Sequence, residues 1–198
     1  MEQLPWILGI LAALLHGVGY ILYNMQSKKG TSKPNIVSWS IWAFMAGLNL
    51  LSFAEVTSFA HALHYVVGTL AAIVTFVLAL LWGRFDWPSK REAAIFVICL
   101  ISVGVWQSFD SASAANLIFL VALLVSFYPT FMGVYKDPTK EKATSWIVWT
   151  TAFAVNLLNN ILSWNGDPVS VINPIILLVL HASIWILSRK VRQRAYAS

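Results

Sequence analysis

The chain has 198 residues, of which 59% are apolar and 11% are charged, and its mean hydropathy is +0.72. Soluble domains are about half apolar and about a quarter charged, so this composition excludes an ordinary water-soluble domain and predicts an all-α integral membrane protein. The net charge is +5, but the basic residues stand in short gaps between apolar runs. A nucleic-acid partner, which would need a solvated basic surface, is therefore not expected.

Apolar runs predict seven transmembrane helices along the chain. A span needs about 20 residues, so seven spans take roughly 140 residues and leave no room for a separate soluble domain. In chain order the predicted spans are 5–23, 36–54, 63–82, 93–109, 114–135, 145–164 and 169–187. We therefore expect a multi-pass protein whose main partner is the lipid bilayer.

The basic residues predict how these spans are oriented. Lys and Arg concentrate in short cytoplasmic loops. Every basic residue falls in the first, third or fifth gap or after the seventh span: Lys28, Lys29, Lys33, Arg84, Lys90, Arg91, Lys136, Lys140, Lys142, Arg189, Lys190, Arg192 and Arg194. This distribution predicts an N-terminus outside and a C-terminus in the cytoplasm, in the plasma (inner) membrane.

The chain repeats itself when it is shifted by 107 residues without a gap. The matched pairs include Lys33 with Lys140, Ser38 with Ser145, Trp39 with Trp146, Trp42 with Trp149, and Asn49 with Asn156. Three spans reverse the direction of the chain, so one further span restores it. The shift therefore predicts two parallel three-helix repeats, residues 1–86 and 113–198, joined by an inverting linker helix within residues 87–112.

Neutral polar residues within the spans are the candidates for a binding site. A polar side chain in hydrocarbon needs a partner or a watery cavity. Trp42 and Asn49 are seven residues apart and share one helix face, and Trp149 and Asn156 repeat this arrangement. Aromatic faces and amide groups suit a neutral solute that carries hydroxyl or amide groups.

A short motif marks the second repeat. Residues 126–130 read Ser-Phe-Tyr-Pro-Thr, a basic loop follows at 136–142, and residues 145–149 read Ser-Trp-Ile-Val-Trp. This pattern resembles the PQ-loop of the SWEET and SemiSWEET transporters, although Thr130 replaces the Gln and Leu22 stands at the proline position of the first repeat. The 3+1+3 layout is that of full-length SWEETs. The resemblance implies an alternating-access transporter of a small neutral solute such as a sugar or an amino acid.

The resemblance also implies particular site residues. The family's pocket uses a residue of the second helix and an Asn of the third helix in each triplet. These positions match Asn49, Asn156 and Asn173, whereas the first repeat has His64 and Tyr65 in place of the third-helix Asn. Pro129 occupies the motif's proline and is expected to act as a hinge. Because the predicted spans contain no Asp or Glu, we expect uncoupled transport, with no cofactor and no metal.

Other interpretations compete with a carrier. The asparagines could bond neighbouring helices as structural contacts. A ligand-binding receptor on the same scaffold would bind a solute without accumulating it. A membrane-embedded zinc hydrolase could use His61, His64 and His181, but their spacing matches no metal signature and the spans offer no carboxylate as a general base. We therefore expect no enzyme activity. The sequence leaves open whether the protein forms a homo-oligomer.

Overall fold

The fold consists of long helices that follow the predicted spans. The computed structural model describes residues 3–56, 59–82 and 112–195, with isolated positions between 89 and 108. These residues form α1 (Gln3–Lys29), α2 (Ile36–Val56), α3 (Phe59–Leu81), α4 (Ala112–Lys136), a short 3-10 helix (Pro138–Lys140), α5 (Ala143–Leu162) and α6 (Val169–Ala195). Six predicted spans thus coincide with helices, and the fourth, residues 93–109, lies mostly outside the described residues.

Three of these helices are long and apolar enough to cross a membrane. They comprise Gln3–Lys29, Ala62–Leu81 and Val169–Arg189. The outer face of α1 carries Ile7, Leu14 and Ile21, which are 58%, 63% and 61% exposed and are spaced by seven residues. Polar side chains such as Asn156 and Asn173 are buried inside, among aromatic and aliphatic residues. An apolar exterior with buried polar side chains suits a bilayer, since lipid offers no hydrogen bonds to polar groups.

Two local signals set the ends of these helices. Gly30 adopts a φ of 75° directly after α1, and the amides of Gly30 and Thr31 donate to the carbonyls of Ser27 and Gln26. This is the Schellman pattern, which a glycine at the first position after a helix permits. At the start of α6, the Asp167 carboxylate accepts a hydrogen bond from the Val169 amide at 2.8 Å, as an N-cap residue does.

The helices pack in a closed ring. Helix α3 lies between α1 and α2, and α6 lies between α4 and α5. The remaining main contacts join α1 to α5 and α2 to α4. The helices thus form two groups of three, α1–α3 and α4–α6, which meet along two seams, α1 with α5 and α2 with α4. A shared core or a cavity can form in the space between the two groups.

Side-chain contacts give the direction of each helix. Helices α1 and α3 are parallel, because His16 bonds His64 and, nearer their C-terminal ends, Asn24 bonds Thr75. Helices α2 and α4 are antiparallel, since Trp42 bonds Ser126 and Ser38 bonds Thr130. The contacts between α1 and α5, at Gln26 with Ser145 and Pro5 with Asn159, are likewise antiparallel.

Two loops meet at one end of the ring. The Lys33 amide donates to the Lys140 carbonyl at 2.9 Å, and the Lys142 amide donates to the Ser32 hydroxyl at 3.1 Å. We call this end, formed by residues 30–35 and 137–142, the basic end. The first and fifth gaps of the chain therefore lie on the same side, as the charge distribution predicts for these two gaps.

Candidate functional site

A cavity of ≈ 80 Å³ lies at the centre of the helix ring. A single water occupies about 10–15 Å³ on this measure, so the cavity has room for several waters or a small solute. Rings form most of its wall: His16, Tyr20, Trp39, Trp42, Tyr65, Phe127, Trp146, Trp149, Phe153 and His181. Because all six long helices contribute lining residues, any displacement of one group of helices against the other would change the shape of this cavity.

An amide network forms the polar part of the site. Asn173 donates from Nδ2 to Asn49 Oδ1 at 2.8 Å, and its own Oδ1 accepts from the Tyr65 hydroxyl at 3.0 Å. Asn156 Nδ2 in turn donates to the Tyr65 oxygen at 3.3 Å. Four residues predicted from the sequence, on α2, α3, α5 and α6, are thus joined in one chain of hydrogen bonds.

The network reaches the cavity through only some of its members. Asn49 and Tyr65 line the cavity. Asn156 and Asn173 are completely buried and stand behind them, so they are placed to orient the lining residues. The structure therefore divides the predicted binding residues into two layers, which the spacing of the sequence did not distinguish.

Asn156 retains an unused acceptor. Among the described residues, no hydrogen-bond donor reaches its buried Oδ1. Buried polar groups nearly always find a partner, and leaving one without a partner costs free energy. This acceptor makes the network incomplete and receptive to one more donor, such as a water or a hydroxyl group.

Trp42 and Trp149 occupy equivalent places in the wall. Trp42 donates from its indole N–H to Ser126 Oγ on α4 at 2.9 Å. Trp149 donates from its indole N–H to the His16 carbonyl on α1 at 3.2 Å. Since both N–H groups are already bonded, what these two residues offer the cavity is ring surface, which suits stacking or apolar contact.

The histidines occupy one side of the cavity. His16 lines it and its Nδ1 lies 3.0 Å from Nε2 of His64, which is buried behind it. His181 lines the cavity, and its Nδ1 bonds the Leu177 carbonyl at 2.7 Å. Within the part of the chain that the structure describes, no group of three His, Cys, Asp or Glu side chains could hold a metal ion. The His61 side chain lies outside that part.

Pro129 lies within α4, which continues to Lys136. Proline cannot donate to the carbonyl four residues earlier, so the helix lacks one hydrogen bond beside its contact with α2. That contact includes Ser38, which donates to the Ser126 carbonyl at 3.3 Å, and Thr130, which donates to Ser38 Oγ at 3.3 Å. The predicted hinge residue thus adjoins the seam between the two groups of helices.

A buried carboxyl at the basic end was missed by the sequence analysis. Glu141 follows the 3-10 helix and is 4% exposed. Its Oε1 accepts from the Tyr23 hydroxyl at 3.0 Å, and its Oε2 accepts from the Trp146 indole N–H at 3.2 Å. The only available signal was an acidic residue between Lys140 and Lys142, which normally indicates a solvated loop.

The chain matches no known protein-family profile, no curated protein and no solved structure. The resemblance to the SWEET and SemiSWEET transporters stays a prediction from the motif and the repeat.

Proposed function

We propose that the protein is a seven-helix membrane carrier that moves a small neutral polar solute, such as a sugar or an amino acid, by alternating access. The observation that carries this proposal is the central cavity, which combines an amide network with aromatic rings and lies between two groups of three helices. Membrane carriers bind substrate at such an interface between repeats.

The crossed contacts support two like-facing repeats. Trp42 and Trp149, which the 107-residue shift pairs, each bond the first helix of the other group. Ser38 and Ser145 are also paired by the shift. Ser38 bonds Thr130 on α4, and Ser145 bonds Gln26 on α1. Equivalent residues that make equivalent contacts across an interface are expected of two units related by a two-fold axis.

The direction of the chain supports a seventh crossing. Helix α3 runs parallel to α1 and ends at the basic end, whereas α4 is antiparallel to α2 and also ends there. The chain therefore has to return to the opposite end between Leu81 and Ala112. The predicted linker helix would supply this crossing and place all four groups of basic residues on the cytoplasmic side.

Uptake into proteoliposomes tests the proposal. The purified protein is reconstituted and supplied with labelled sugars and neutral amino acids, and we expect accumulation of at least one of them. Asn49→Leu, which keeps the size of the side chain but removes its amide from the cavity, should lower this uptake about tenfold, the effect of losing one hydrogen bond worth about 1.4 kcal/mol.

Ser40→Ala is the matched control for this test. It also removes a polar group from α2, but the Ser40 hydroxyl bonds the Val37 carbonyl of its own helix, and Ser40 is not among the described residues that line the cavity. It should leave uptake unchanged. Solute binding without accumulation would contradict the carrier and favour a receptor, and equal uptake by Asn49→Leu and Ser40→Ala would remove Asn49 from the site.

A further inference from the structure

The basic end is held together by a continuous chain of side-chain hydrogen bonds. Trp39 on α2 donates from its indole N–H to the Tyr23 hydroxyl on α1 at 3.1 Å. Tyr23 donates to Glu141 Oε1, and Trp146 on α5 donates to Glu141 Oε2. One carboxyl therefore joins elements from both groups of helices, next to the rings of Trp39 and Trp146 that line the cavity.

We propose that Glu141 is a proton-binding site whose proton is released to the solution at the basic end when that end opens. The inference rests on the proposed carrier and extends it, because it makes opening of one side of the cavity dependent on a proton. The step is the ionisation of the carboxylic acid to a carboxylate and a free proton. The fold couples this step to opening because two of the residues that surround Glu141, Tyr23 on α1 and Ser32 in the first loop, belong to the other group of helices.

Burial favours the neutral acid of Glu141 while the end is closed, whereas the neighbouring hydrogen-bond donors favour the carboxylate. Tyr23 faces it from α1, Trp146 from α5 and Ser32 from the first loop. The nearest lysines in sequence, Lys140 and Lys142, are exposed. Helices α4 and α6, which pack against the 3-10 helix, bring Lys136 and Arg189 to the same end. Among the described residues none of these cations forms an ion pair with the Glu141 carboxylate.

Burial determines the direction of the coupling. It raises the pKa of the Glu141 carboxyl from 4.5 to about 8, and the hydrogen bonds from Trp146, Tyr23 and Ser32 oppose this rise only in part. Opening would expose the carboxyl to water, where its pKa returns towards its ordinary value of 4.5. The closed end therefore binds the proton more tightly than the open end. Between these two pKa values, each unit of rising pH increases the ratio of open to closed protein by up to about tenfold. Above the higher pKa this ratio no longer changes with pH.

Distances between two spin labels test this inference directly. Thr31→Cys and Thr144→Cys, in a Cys99→Ser background, place labels on exposed residues near the basic end, one in the first loop and one in the first turn of α5. Double electron–electron resonance measures the distance in reconstituted protein between pH 5 and pH 9. We expect a longer distance to grow from a minor to a major population as the pH rises, with a plateau above about pH 8.

Variants identify the titrating group. Glu141→Gln, which keeps a neutral side chain of the same shape, should make the distance distribution independent of pH. Asp137→Asn is the matched control, because Asp137 is a half-exposed acid of the same loop and Asn also serves as an N-cap. The Asp137→Asn variant should show the same pH dependence of the label distance as the protein without this change. A Tyr23→Phe variant removes one donor to the carboxylate and should move the transition to higher pH.

Two outcomes would overturn the inference. One is a distance distribution that does not change with pH in the doubly labelled protein, and the other is a pH dependence that Glu141→Gln retains. If Glu141→Gln does not fold, infrared difference spectra of the unmodified protein decide instead, since they must show the carbonyl stretch of a protonated carboxyl disappearing as the pH rises towards 9. The readout requires no solute, so a failure of the proposed transport would be seen separately, in the uptake experiment.

Discussion

Tyr65 connects two asparagines that come from different helices. Its hydroxyl donates to Asn173 Oδ1 and accepts from Asn156 Nδ2, while its ring forms part of the cavity wall. A single hydroxyl thus fixes the position of two buried amides. Because both amides are completely buried, these two hydrogen bonds determine which way the amide groups point.

Tyr65→Phe should therefore destabilise the protein. The change keeps the ring but removes one hydrogen bond from each of Asn156 and Asn173, which we expect to lower the free energy of unfolding by about 1–3 kcal/mol. Thermal unfolding in detergent measures the effect. Tyr128→Phe, at an exposed tyrosine of α4, is the control and should leave the midpoint unchanged. Equal midpoints for the two variants would contradict the role of Tyr65 in the network.

At the level of residues, the sequence predicts which residues form the site better than it predicts which of them line the cavity. Spacing and the repeat single out Asn49 and Asn156, and the family resemblance adds Asn173 and Tyr65, all of which the structure brings together. Which of them line the cavity depends on how α3 and α6 pack, and spacing along one helix does not contain this information. Glu141 was missed for the same reason, since its burial arises from contacts with Tyr23 and Trp146, the first of which is far away in sequence.

At the level of elements, close approach of α1 and α5 positions the ring of Trp149. A Cβ atom added at Gly19 would lie 2.5 Å from the Trp149 indole, a distance that real Cβ atoms do not tolerate. The missing side chain at Gly19 therefore permits Trp149 to lie against α1 and to bond the His16 carbonyl. This glycine is needed for packing, since its backbone is ordinary α-helix.

Gly19→Ala should displace the Trp149 ring, with a loss of stability of about 1–3 kcal/mol, as expected for overpacking of a tight interface. Gly17→Ala provides the control two residues away on the same helix. A Cβ at Gly17 would meet Val67 at an ordinary 3.5 Å, so this change should be neutral or slightly stabilising, because alanine favours a helix more than glycine does. Thermal unfolding in detergent compares the two, and a Gly19→Ala variant as stable as Gly17→Ala would contradict the close packing.

The helices themselves follow from the sequence because their signals are local. Long apolar runs predict the positions of all six described helices, and the start of α2 and that of α6 agree with prediction to the residue. The ends of α1 and α6 extend beyond the predicted spans, because the apolar runs end before the polar residues Asn24 and Ser188 whereas the backbone stays helical. For α1 the helix continues to Lys29, where Gly30 supplies the Schellman turn.

At the level of the whole molecule, closure at the basic end is combined with a cavity at the centre. The backbone bond between Lys33 and Lys140 and the hydrogen bonds that join Trp39, Tyr23 and Glu141 connect the two groups of helices at this end. A carrier needs such contacts to break and re-form in each cycle. Pro129 stands within α4 beside the seam with α2, where the proposed hinge would allow the two groups to tilt.

Access to the cavity from both sides of the membrane tests the central claim most directly. Ala46 lines the cavity, so Ala46→Cys in a Cys99→Ser background is treated with a membrane-impermeant thiol reagent in oriented vesicles of either sidedness. Thr144→Cys at the basic end and Asn165→Cys at the opposite end are exposed controls, each expected to react from one side only. We predict that Ala46→Cys reacts from both sides and that a transported solute slows both reactions. Reaction from a single side under every condition, with both controls behaving as expected, would contradict alternating access.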